Sequence, residues 1–310
     1  MQVLAIEPPI QTAHSDLVSR IGNTPLFRLY RVTAGIPPSV EVYVKAEQFN
    51  PGGSVKDRAA LYMIEQARRS GSLNGNKTLL DATSGNTGIA YAMIGAAWGI
   101  SVAVCLPSNA SLERKRILRS YGARIIETES NGTTDSAQKM AKELARKFPQ
   151  QYIYLDQYNN VANWRAHYEG TGREIWLQTT GRITHFIAGL GTTGTFVGTS
   201  RRLKEHKPDI RGITVQPESP LHGIEGMKHL SSAMVPGIYD PSLVDEEVTV
   251  STEEAQEMAL RLSREEGFLV GTSSGANVFA ALRLARSLPA GSVVVTILCD
   301  SGERYLSHRD

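Results

Sequence analysis

Short apolar runs that alternate with segments of helical periodicity constrain the fold of this chain most. Eight runs have the length of single strands, and they lie at residues 40–45, 78–82, 101–106, 124–127, 152–156, 184–188, 213–216 and 293–298. Several contain few polar residues, as expected for strands of a parallel sheet that is covered on both faces. The pattern predicts an α/β fold with helices on both faces of a largely parallel sheet.

Segments with the period of an amphipathic helix lie between these runs. Residues 136–148 and residues 253–266 each place their large apolar side chains on one face. Ser251 and Glu254 have the spacing of a capping box, in which each side chain accepts a hydrogen bond from the backbone of the other residue. Both segments are therefore predicted to be helices.

The bulk properties argue against several classes of protein. The 310 residues carry a formal net charge of +2, and the basic residues are spread among acidic ones, unlike the basic clusters of most nucleic-acid-binding proteins. Cys105 and Cys299 lie far apart and show no disulfide-framework or zinc-site spacing, which fits a reducing cytoplasm. Residues 1–16 lack the basic start and apolar stretch of a signal peptide.

One uncharged stretch, residues 82–112, has the length of a membrane span. Several glycines and Pro107 interrupt it, and Ser84, Asn86 and Thr87 stand near its beginning. We therefore expect a buried helix followed by a buried strand, and no association with a membrane.

The segment NPGGSVKDR, residues 50–58, is the first candidate functional element. Pro51 and the following glycines predict a tight turn, and Ser54 or Asp57 could accept hydrogen bonds from the first N–H groups of a helix. Lys56 then lies in the first helical turn, where the helix dipole disfavours a cation, and a neutral amine is what Schiff-base chemistry requires. A solvent-facing lysine beside Asp57 is the alternative.

Two polar turns between an apolar run and a helical segment are candidate anion sites. Residues 83–88 (TSGNTG) offer N–H groups and hydroxyls that could hold a carboxylate, although an ordinary helix cap would explain Ser84 or Asn86. Residues 189–195 (GLGTTGT) could cradle a phosphate. The second turn lacks both the acidic residue of a dinucleotide site and the ending of a P-loop, and a bare glycine-rich turn is its alternative.

The remaining candidates are weaker when each is taken alone. Residues 271–276 (GTSSGA) start a helix, and simple capping by Ser273 or Ser274 explains them. Cys299 has no obvious histidine base, and the histidines lack metal-ligand spacing, so we expect no metal site. The irregular segment 215–241 is either an active-site loop or a surface insertion.

The order of these motifs resembles that of fold-type II pyridoxal-phosphate enzymes, specifically O-acetylserine sulfhydrylases of the cysteine synthase B kind. The resemblance spans residues 21–307, and its sharpest segments are NPGGSVKDRAA, ATSGNTGIA, AHYEGTGREIWLQTTGRITHFIAGLGTTGT, GTSSGA and CDSGERYLS. It implies two lobes, each with a largely parallel sheet flanked by helices. Residues 51–150 would form the smaller, mobile lobe, and residues 1–50 with 151–310 the larger, cofactor-phosphate-binding lobe.

The resemblance also implies a role for each candidate residue. Lys56 would hold the cofactor, pyridoxal 5′-phosphate, as an internal aldimine. Asn86 would lie against the 3′-oxygen of the cofactor, and Ser273 would face its pyridine nitrogen. The cofactor phosphate would be bound by Gly191, Thr192, Thr193, Gly194 and Thr195, and the substrate carboxylate by Thr83, Ser84, Thr87 and Gln157.

The implied reaction is the synthesis of cysteine. Lys56 would remove the α-proton of O-acetylserine or O-phosphoserine, the β-substituent would leave to give an α-aminoacrylate, and sulfide or a donor such as thiosulfate would add. A neutral Ser273 would favour this elimination over transamination. A cystathionine β-synthase-like enzyme or a cysteine-degrading lyase would use the same intermediate, and a catalytically silent binding protein is the non-enzyme alternative.

One loop, residues 217–230, departs from the family pattern. Several relatives carry paired arginines after a Gly-Ile, where this chain has Glu-Gly at residues 225–226, so a thiosulfate preference that rests on those arginines loses its basis. Lys228 or His222 could instead help to hold the phosphate of O-phosphoserine, or both could be solvated. The family resemblance further implies a homodimer, with a serine acetyltransferase as a candidate partner.

Overall fold

The computed structural model describes residues 17–83, 85–129 and 134–308. The strands in these ranges are β1 (Leu26–Arg28), β2 (Glu41–Ala46), β3 (Thr78–Ala82), β4 (Val102–Pro107), β5 (Arg124–Thr128), β6 (Tyr152–Tyr154), β7 (His185–Gly189), β8 (Arg211–Pro217), β9 (Glu246–Val250) and β10 (Val293–Leu298). The α-helices are α1 (Lys56–Arg69), α2 (Asn86–Trp98), α3 (Leu112–Ser120), α4 (Thr134–Lys147), α5 (Val161–Ala166), α6 (Arg173–Gln178), α7 (Gly194–His206), α8 (Thr252–Glu266) and α9 (Thr272–Ala285). A π-helical turn, His167–Gly172, joins α5 to α6, and short 3-10 helices cover Leu17–Arg20, Glu47–Phe49, Pro241–Leu243 and Gly302–His308.

The larger sheet has six strands in the order β1-β2-β10-β7-β8-β9. Its strands pair in parallel, except that β1 is antiparallel to β2. Every residue of β10 is buried, because successive side chains of a strand point to opposite faces and both faces are covered. Val294 packs in the apolar cluster that contains Met258 of α8 and Val278 of α9, whereas Val295 packs with Phe196 of α7.

The smaller sheet has four parallel strands in the order β5-β4-β3-β6. Strand β4 is buried along its whole length, with Val104 in the cluster that contains Ile89 of α2 and Ala103 in the cluster that contains Ala141 of α4. The uncharged stretch 82–112 therefore contains the expected buried helix and buried strand. None of the helices in the described ranges combines the length and the apolar character that crossing a membrane requires.

The sequence-based predictions of the α/β fold and of its parallel, helix-covered sheets are confirmed. Strands β3 and β10 match their predicted ranges, and the other predicted strands differ from the structure by no more than two residues at either end. The capping box of Ser251 and Glu254 is present at the start of α8. Two edge strands, β1 and β9, were not predicted, because their partly exposed residues do not form an apolar run.

The strand pairing bears on the division into lobes. Strand β6 pairs with β3, so the smaller sheet includes residues that follow position 150, the boundary expected from the sequence. One sheet contains β3, β4, β5 and β6, and the other contains β1, β2, β7, β8, β9 and β10. The turns that follow β3, β7 and β10 lie at the carboxyl ends of parallel strands, where α/β proteins bind their ligands.

Candidate active site

One cavity brings together most of the candidate residues from distant parts of the chain. It is lined by Lys56, Thr83, Asn86, Thr87, Gln157, Gly191, Thr192, Thr193, Thr195 and Ser273. Gly194 is the first residue of α7 and lies directly beside this lining. Ser84 lies outside the described residues.

The turn before α1 presents Lys56 to the cavity. Helix α1 begins at this residue, and the backbone N–H of Lys56 donates a hydrogen bond to Ser54 Oγ at 3.2 Å. The carboxylate of Asp57 is buried and accepts a hydrogen bond from the N–H of Gly52 at 2.5 Å. Asp57 thus stabilises the tight turn itself, and the alternative of a solvent-facing lysine beside this carboxylate does not describe the structure.

The turn between β3 and α2 is organised by the hydroxyl of Thr83. This oxygen accepts hydrogen bonds from the N–H groups of Gly85 at 3.1 Å and Gly88 at 3.2 Å. On the same turn, Thr87 Oγ1 donates to Gln157 Oε1 at 2.8 Å. The cavity therefore has, at one end, hydroxyls, an amide and the start of a helix, which together suit a carboxylate.

Asn86 is held by the segment that follows β10. Its Nδ2 donates to Asp300 Oδ2 at 2.6 Å, and its Oδ1 accepts a hydrogen bond from Arg304. Arg304 also donates to the carbonyl oxygen of Gly52. The C-terminal segment thus connects the turn that carries Lys56 to the turn that carries Asn86.

The turn between β7 and α7 has the features of a phosphate cradle. Thr193 adopts a left-handed backbone conformation with φ 69°, immediately before the first residue of α7. Asn163 Nδ2 donates to Thr192 Oγ1 at 3.1 Å, and Thr195 Oγ1 lies 3.3 Å from His167 Nε2. Burial lowers the pKa of His167 to about 3, with a smaller effect from Arg58, so this imidazole is neutral near pH 7.

These features fit the phosphate of pyridoxal 5′-phosphate. The buried Oγ1 of Thr193 has no hydrogen-bond partner among the described residues. A side chain at position 191 would place its Cβ 2.1 Å from the carbonyl oxygen of Gly226, so only glycine permits this close approach of two loops. A helix start with free N–H groups, a buried hydroxyl and a glycine-lined approach is the combination that binds a phosphate.

Ser273 lies in the first turn of α9 and lines the cavity beside Cys299. Neither serine of the GTSSGA segment caps this helix, since its N-cap is Gly271, and Ser274 Oγ accepts a hydrogen bond from the N–H of Cys299 at 2.8 Å. Burial raises the pKa of the Cys299 thiol to about 11, although Lys56 acts against the shift. Cys299 is therefore a protonated thiol at neutral pH, in a cavity position that its sequence context did not indicate.

Arg114 and Glu225 are cavity residues that the sequence patterns did not single out as partners. Arg114 comes from α3 and forms an ion pair with Glu225, which lies 111 positions later in the loop 217–230. The guanidinium also lies over the ring of Tyr305, 5.1 Å from its centre. No local pattern relates residues so far apart, so only the tertiary structure reveals this contact.

Of the two side chains considered for phosphate binding, Lys228 and His222, only Lys228 belongs to the cavity lining described here. Its Nζ lies 3.1 Å from Asp135 Oδ1 and 4.9 Å from the centre of the Tyr158 ring. His222 instead accepts a hydrogen bond from the N–H of Ile224 within its own loop. Within the described ranges, no three histidine, cysteine or acidic side chains are grouped so that they could hold a metal ion.

A buried network of charges supports the helix that begins at Lys56. Arg58 Nε lies 2.7 Å from Glu47 Oε2, and Arg58 Nη1 lies 2.7 Å from Glu174 Oε1. Lys45 Nζ contacts the other oxygen of Glu174 at 2.6 Å. Burial opposes the ionisation of Glu174, but Arg58 and Lys45 outweigh it and hold the pKa of this carboxyl at about 2. The network therefore remains charged at neutral pH.

Comparison with known sequences identifies close relatives over nearly the whole chain. The chain is 48% identical over 305 residues to a cysteine synthase of Aquifex aeolicus, covering 97% of this chain and 93% of the relative. It is 44% identical over 293 residues to a cysteine synthase B of Salmonella typhimurium, covering 94% and 95% of the two chains.

Comparison with known structures gives the same relationship. The crystal structure of a cysteine synthase from Entamoeba histolytica superposes with a TM-score of 0.90 at 34% identity, covering 99% of this chain and 93% of that one. The family model described as pyridoxal-phosphate dependent enzyme matches residues 17–300. This protein is therefore a member of the pyridoxal-phosphate dependent enzyme family.

Proposed function

We propose that this protein is a pyridoxal-phosphate-dependent cysteine synthase, which replaces the β-substituent of an O-activated L-serine with a sulfur nucleophile. One observation carries the proposal. A single cavity is lined by Lys56, by the turn before α7 that suits a phosphate, and by the turn before α2 that suits a carboxylate. The similarity to cysteine synthases over more than nine-tenths of the chain supports it.

Separate groups of residues in the proposed site would bind the cofactor and the substrate. The turn 191–195 would hold the cofactor phosphate, Asn86 its 3′-oxygen, and Lys56 its aldehyde carbon. Pyridoxal 5′-phosphate, when bound, supplies an electron sink for the negative charge that develops at the substrate Cα. Thr83, Thr87 and Gln157 would bind the substrate carboxylate, and Ser84 keeps the same expected role. These residues fix the substrate relative to the amine of Lys56.

Lys56 would also move the proton. Its Nζ, freed from the aldehyde carbon when the amino group of the substrate takes its place, would take the proton from the substrate Cα before the β-substituent leaves, and would return it after sulfur has added to Cβ. Ser273 would place a neutral hydroxyl opposite the ring nitrogen. Because a hydroxyl does not fix a proton there as a carboxylate would, it favours loss of the β-substituent over transamination. Replacement by alanine or aspartate that left the partition between these reactions unchanged would contradict this role.

The division into a smaller lobe, residues 51–150, and a larger lobe, residues 1–50 and 151–310, remains part of the proposal, with β6 adding to the sheet of the smaller one. Movement of the smaller lobe would bring residues 83–87 onto the substrate carboxylate and exclude water from the cavity. Comparing small-angle scattering of the holoenzyme with and without a non-reacting amino acid would test the movement.

A spectral titration tests the reaction. Purified holoenzyme is mixed with O-acetylserine or O-phosphoserine, and then with sulfide or thiosulfate, while cysteine is quantified. We expect a change in the cofactor absorbance with the serine derivative, its reversal by the sulfur donor, and cysteine as the product. Homocysteine as the preferred acceptor would favour a cystathionine β-synthase-like enzyme, and no spectral change with any β-substituted serine would favour a binding protein.

Borohydride reduction tests the role of Lys56, with Lys228 as an internal control because both amines line the cavity. Peptide mass spectrometry of the reduced holoenzyme should find the cofactor on Lys56 and not on Lys228. Label on Lys228 alone would contradict the assignment.

A homodimer in the cytoplasm, with a serine acetyltransferase as a possible partner, completes the proposal on the strength of the family resemblance. Light scattering after gel filtration gives the mass of the assembly. A mass that corresponds to a single chain of 33.8 kDa would contradict the dimer.

A further inference from the structure

A buried asparagine connects the two proposed anion sites from behind the cavity. Asn163 lies on α5, is only 2% exposed and stands outside the cavity lining described above. Its Nδ2 donates one hydrogen bond to the backbone carbonyl oxygen of Gln157 at 2.7 Å and a second to Thr192 Oγ1 at 3.1 Å. One amide thus contacts a residue of the proposed carboxylate site and a residue of the proposed phosphate site.

The same amide shapes the phosphate turn in two ways. A Cβ at Gly194 would lie 2.0 Å from Asn163 Oδ1, so only glycine permits this close contact at the start of α7. Because Thr192 Oγ1 accepts a hydrogen bond from Asn163, the one proton of this hydroxyl remains to be donated elsewhere. Thr192 lines the cavity, and a donated proton is what a phosphate oxygen requires.

Gln157 is held through both its backbone and its side chain. Its N–H donates to Asp81 Oδ2 at 3.3 Å, and its Nε2 donates to the carbonyl oxygen of Ala82 at 2.5 Å. Its Oε1 accepts a hydrogen bond from Thr87. With the bond from Asn163, both backbone polar groups of Gln157 are fixed. One proton of its Nε2 is then left for a substrate carboxylate.

We propose that Asn163 is a positioning residue, which sets the distance between the cofactor-phosphate site and the substrate-carboxylate site through its hydrogen bonds to Thr192 and Gln157. The inference rests on the proposed function and adds a residue to its site. Substrate and cofactor form one molecule once the amino group of the substrate has replaced Lys56 on the aldehyde carbon. Phosphate and carboxylate are then two ends of one covalent framework, and the two sites must match its length.

The packing of α5 makes Asn163 suitable for this role. Helix α5 packs against both α1 and α7, the helices that begin at Lys56 and Gly194. Its position is therefore fixed relative to the reacting amine as well as to the phosphate turn. Misplacement of a substrate by about 1 Å can slow a reaction about a hundredfold, so a buried connection between the two sites is worth its polar atoms.

Two double-mutant cycles test the connection, because residues that act through each other have non-additive effects. The first cycle measures the affinity of the apoprotein for pyridoxal 5′-phosphate by fluorescence titration. Thr192→Val should weaken binding about tenfold in the wild type. In the Asn163→Ala background the same change should cost only about threefold, because the hydroxyl is no longer oriented toward the phosphate.

The second cycle measures the affinity of the holoenzyme for L-alanine, which has the α-carboxylate but no β-substituent that can leave. The change in cofactor absorbance reports the binding. Gln157→Ala should weaken it about tenfold in the wild type and only about threefold in the Asn163→Ala background. Asn163→Ser, which keeps a small polar group in the buried position, is carried through both cycles as a second variant.

Asn160→Ala is the matched control. Asn160 is the N-cap of the same helix, and its Nδ2 donates to the carbonyl oxygen of Leu155 at 2.8 Å. Losing this cap should lower the melting temperature. The effects of Thr192→Val and Gln157→Ala should nevertheless stay at their wild-type size in the Asn160→Ala background.

The possible outcomes separate the two proposals. Additive effects in both cycles, with Asn163→Ala and Asn163→Ser alike, would overturn the role of Asn163, as would equal non-additivity in Asn160→Ala. Non-additivity in one cycle alone would also overturn it, since Asn163 would then support one site without connecting the two. A holoenzyme that makes no cysteine would contradict the proposed function instead, and both cycles would still test Asn163, because they measure binding only.

Discussion

Two buried carboxyl groups lie under the polar turns of the cavity. Asp57 follows Lys56 directly, and Asp81 lies two residues before Thr83 on β3. Burial is the main cause that raises the pKa of each to about 7. Hydrogen bonds partly offset the shift, from the N–H of Gly52 to Asp57 and from the hydroxyl of Tyr91 to Asp81. Both groups are therefore poised to change charge near neutral pH.

Asp81 predicts a specific pH dependence of stability. The folded protein keeps the proton on this carboxyl up to about pH 7, whereas the unfolded chain releases it near the ordinary value of 3.8. Its contribution to the free energy of unfolding is thus complete below that ordinary value and is lost as the pH rises toward the folded value. In Asp81→Asn we expect the free energy of unfolding to fall less than in the wild type between pH 4 and pH 7, by an amount on the order of a few kcal/mol, so the melting temperature should also fall less.

Thermal unfolding monitored by circular dichroism across this pH range provides the measurement. Asp209→Asn is the control, because Asp209 is exposed. A pH profile of Asp81→Asn that parallels the wild type would show that Asp81 is ionised in the folded protein throughout.

At the scale of elements, the helix that begins at Lys56 is fixed by charges from two other elements. Glu174 on α6 contacts both Arg58 on α1 and Lys45 on β2. Lys45 is completely buried, and the side chain of Arg58 is only 4% exposed. Breaking a buried ion pair leaves an uncompensated charge, which costs more than the intact pair contributes.

Glu174→Gln should therefore lower the free energy of unfolding by about 3–5 kcal/mol. Chemical denaturation is the measurement, with Glu169→Gln, at an exposed position of the adjacent π-helical turn, as the control. A loss below about 1 kcal/mol, typical of a surface pair, would mean that water reaches the network.

At the scale of the whole molecule, the cavity exists because turns from both sheets meet. Asn86 comes after β3 of the smaller sheet. Lys56 comes after β2, and Thr193 after β7, both of the larger sheet. The loop that contains Gly226 packs against the turn 189–195. The backbone N–H of Lys228 donates a hydrogen bond to the carbonyl oxygen of Leu190 at 2.7 Å. Cofactor affinity should therefore depend on contacts between loops and not only on the cradle itself.

Gly191→Ala tests this dependence, because its Cβ would lie 2.1 Å from the backbone oxygen of Gly226 and force the loops apart. We expect cofactor affinity to fall about tenfold or more, with a loss of stability of 1–3 kcal/mol or so. Fluorescence titration of the apoprotein with pyridoxal 5′-phosphate gives the affinity. The matched control is Gly75→Ala, whose Cβ would meet no atom within 4 Å. Equal behaviour of the two variants would exclude a steric role for Gly191.

The sequence by itself determined the α/β fold and the positions of its buried strands, because apolar runs and helical periods are local properties of the chain. It also indicated Lys56 and the two candidate anion-binding turns, because the backbone of a turn before a helix restricts which residues can occupy it. The tertiary structure alone decided the pairing of Arg114 with Glu225, the cavity position of Cys299 and the membership of β6 in the smaller sheet. These features depend on contacts between residues far apart in the chain, and no local pattern of residues specifies such contacts.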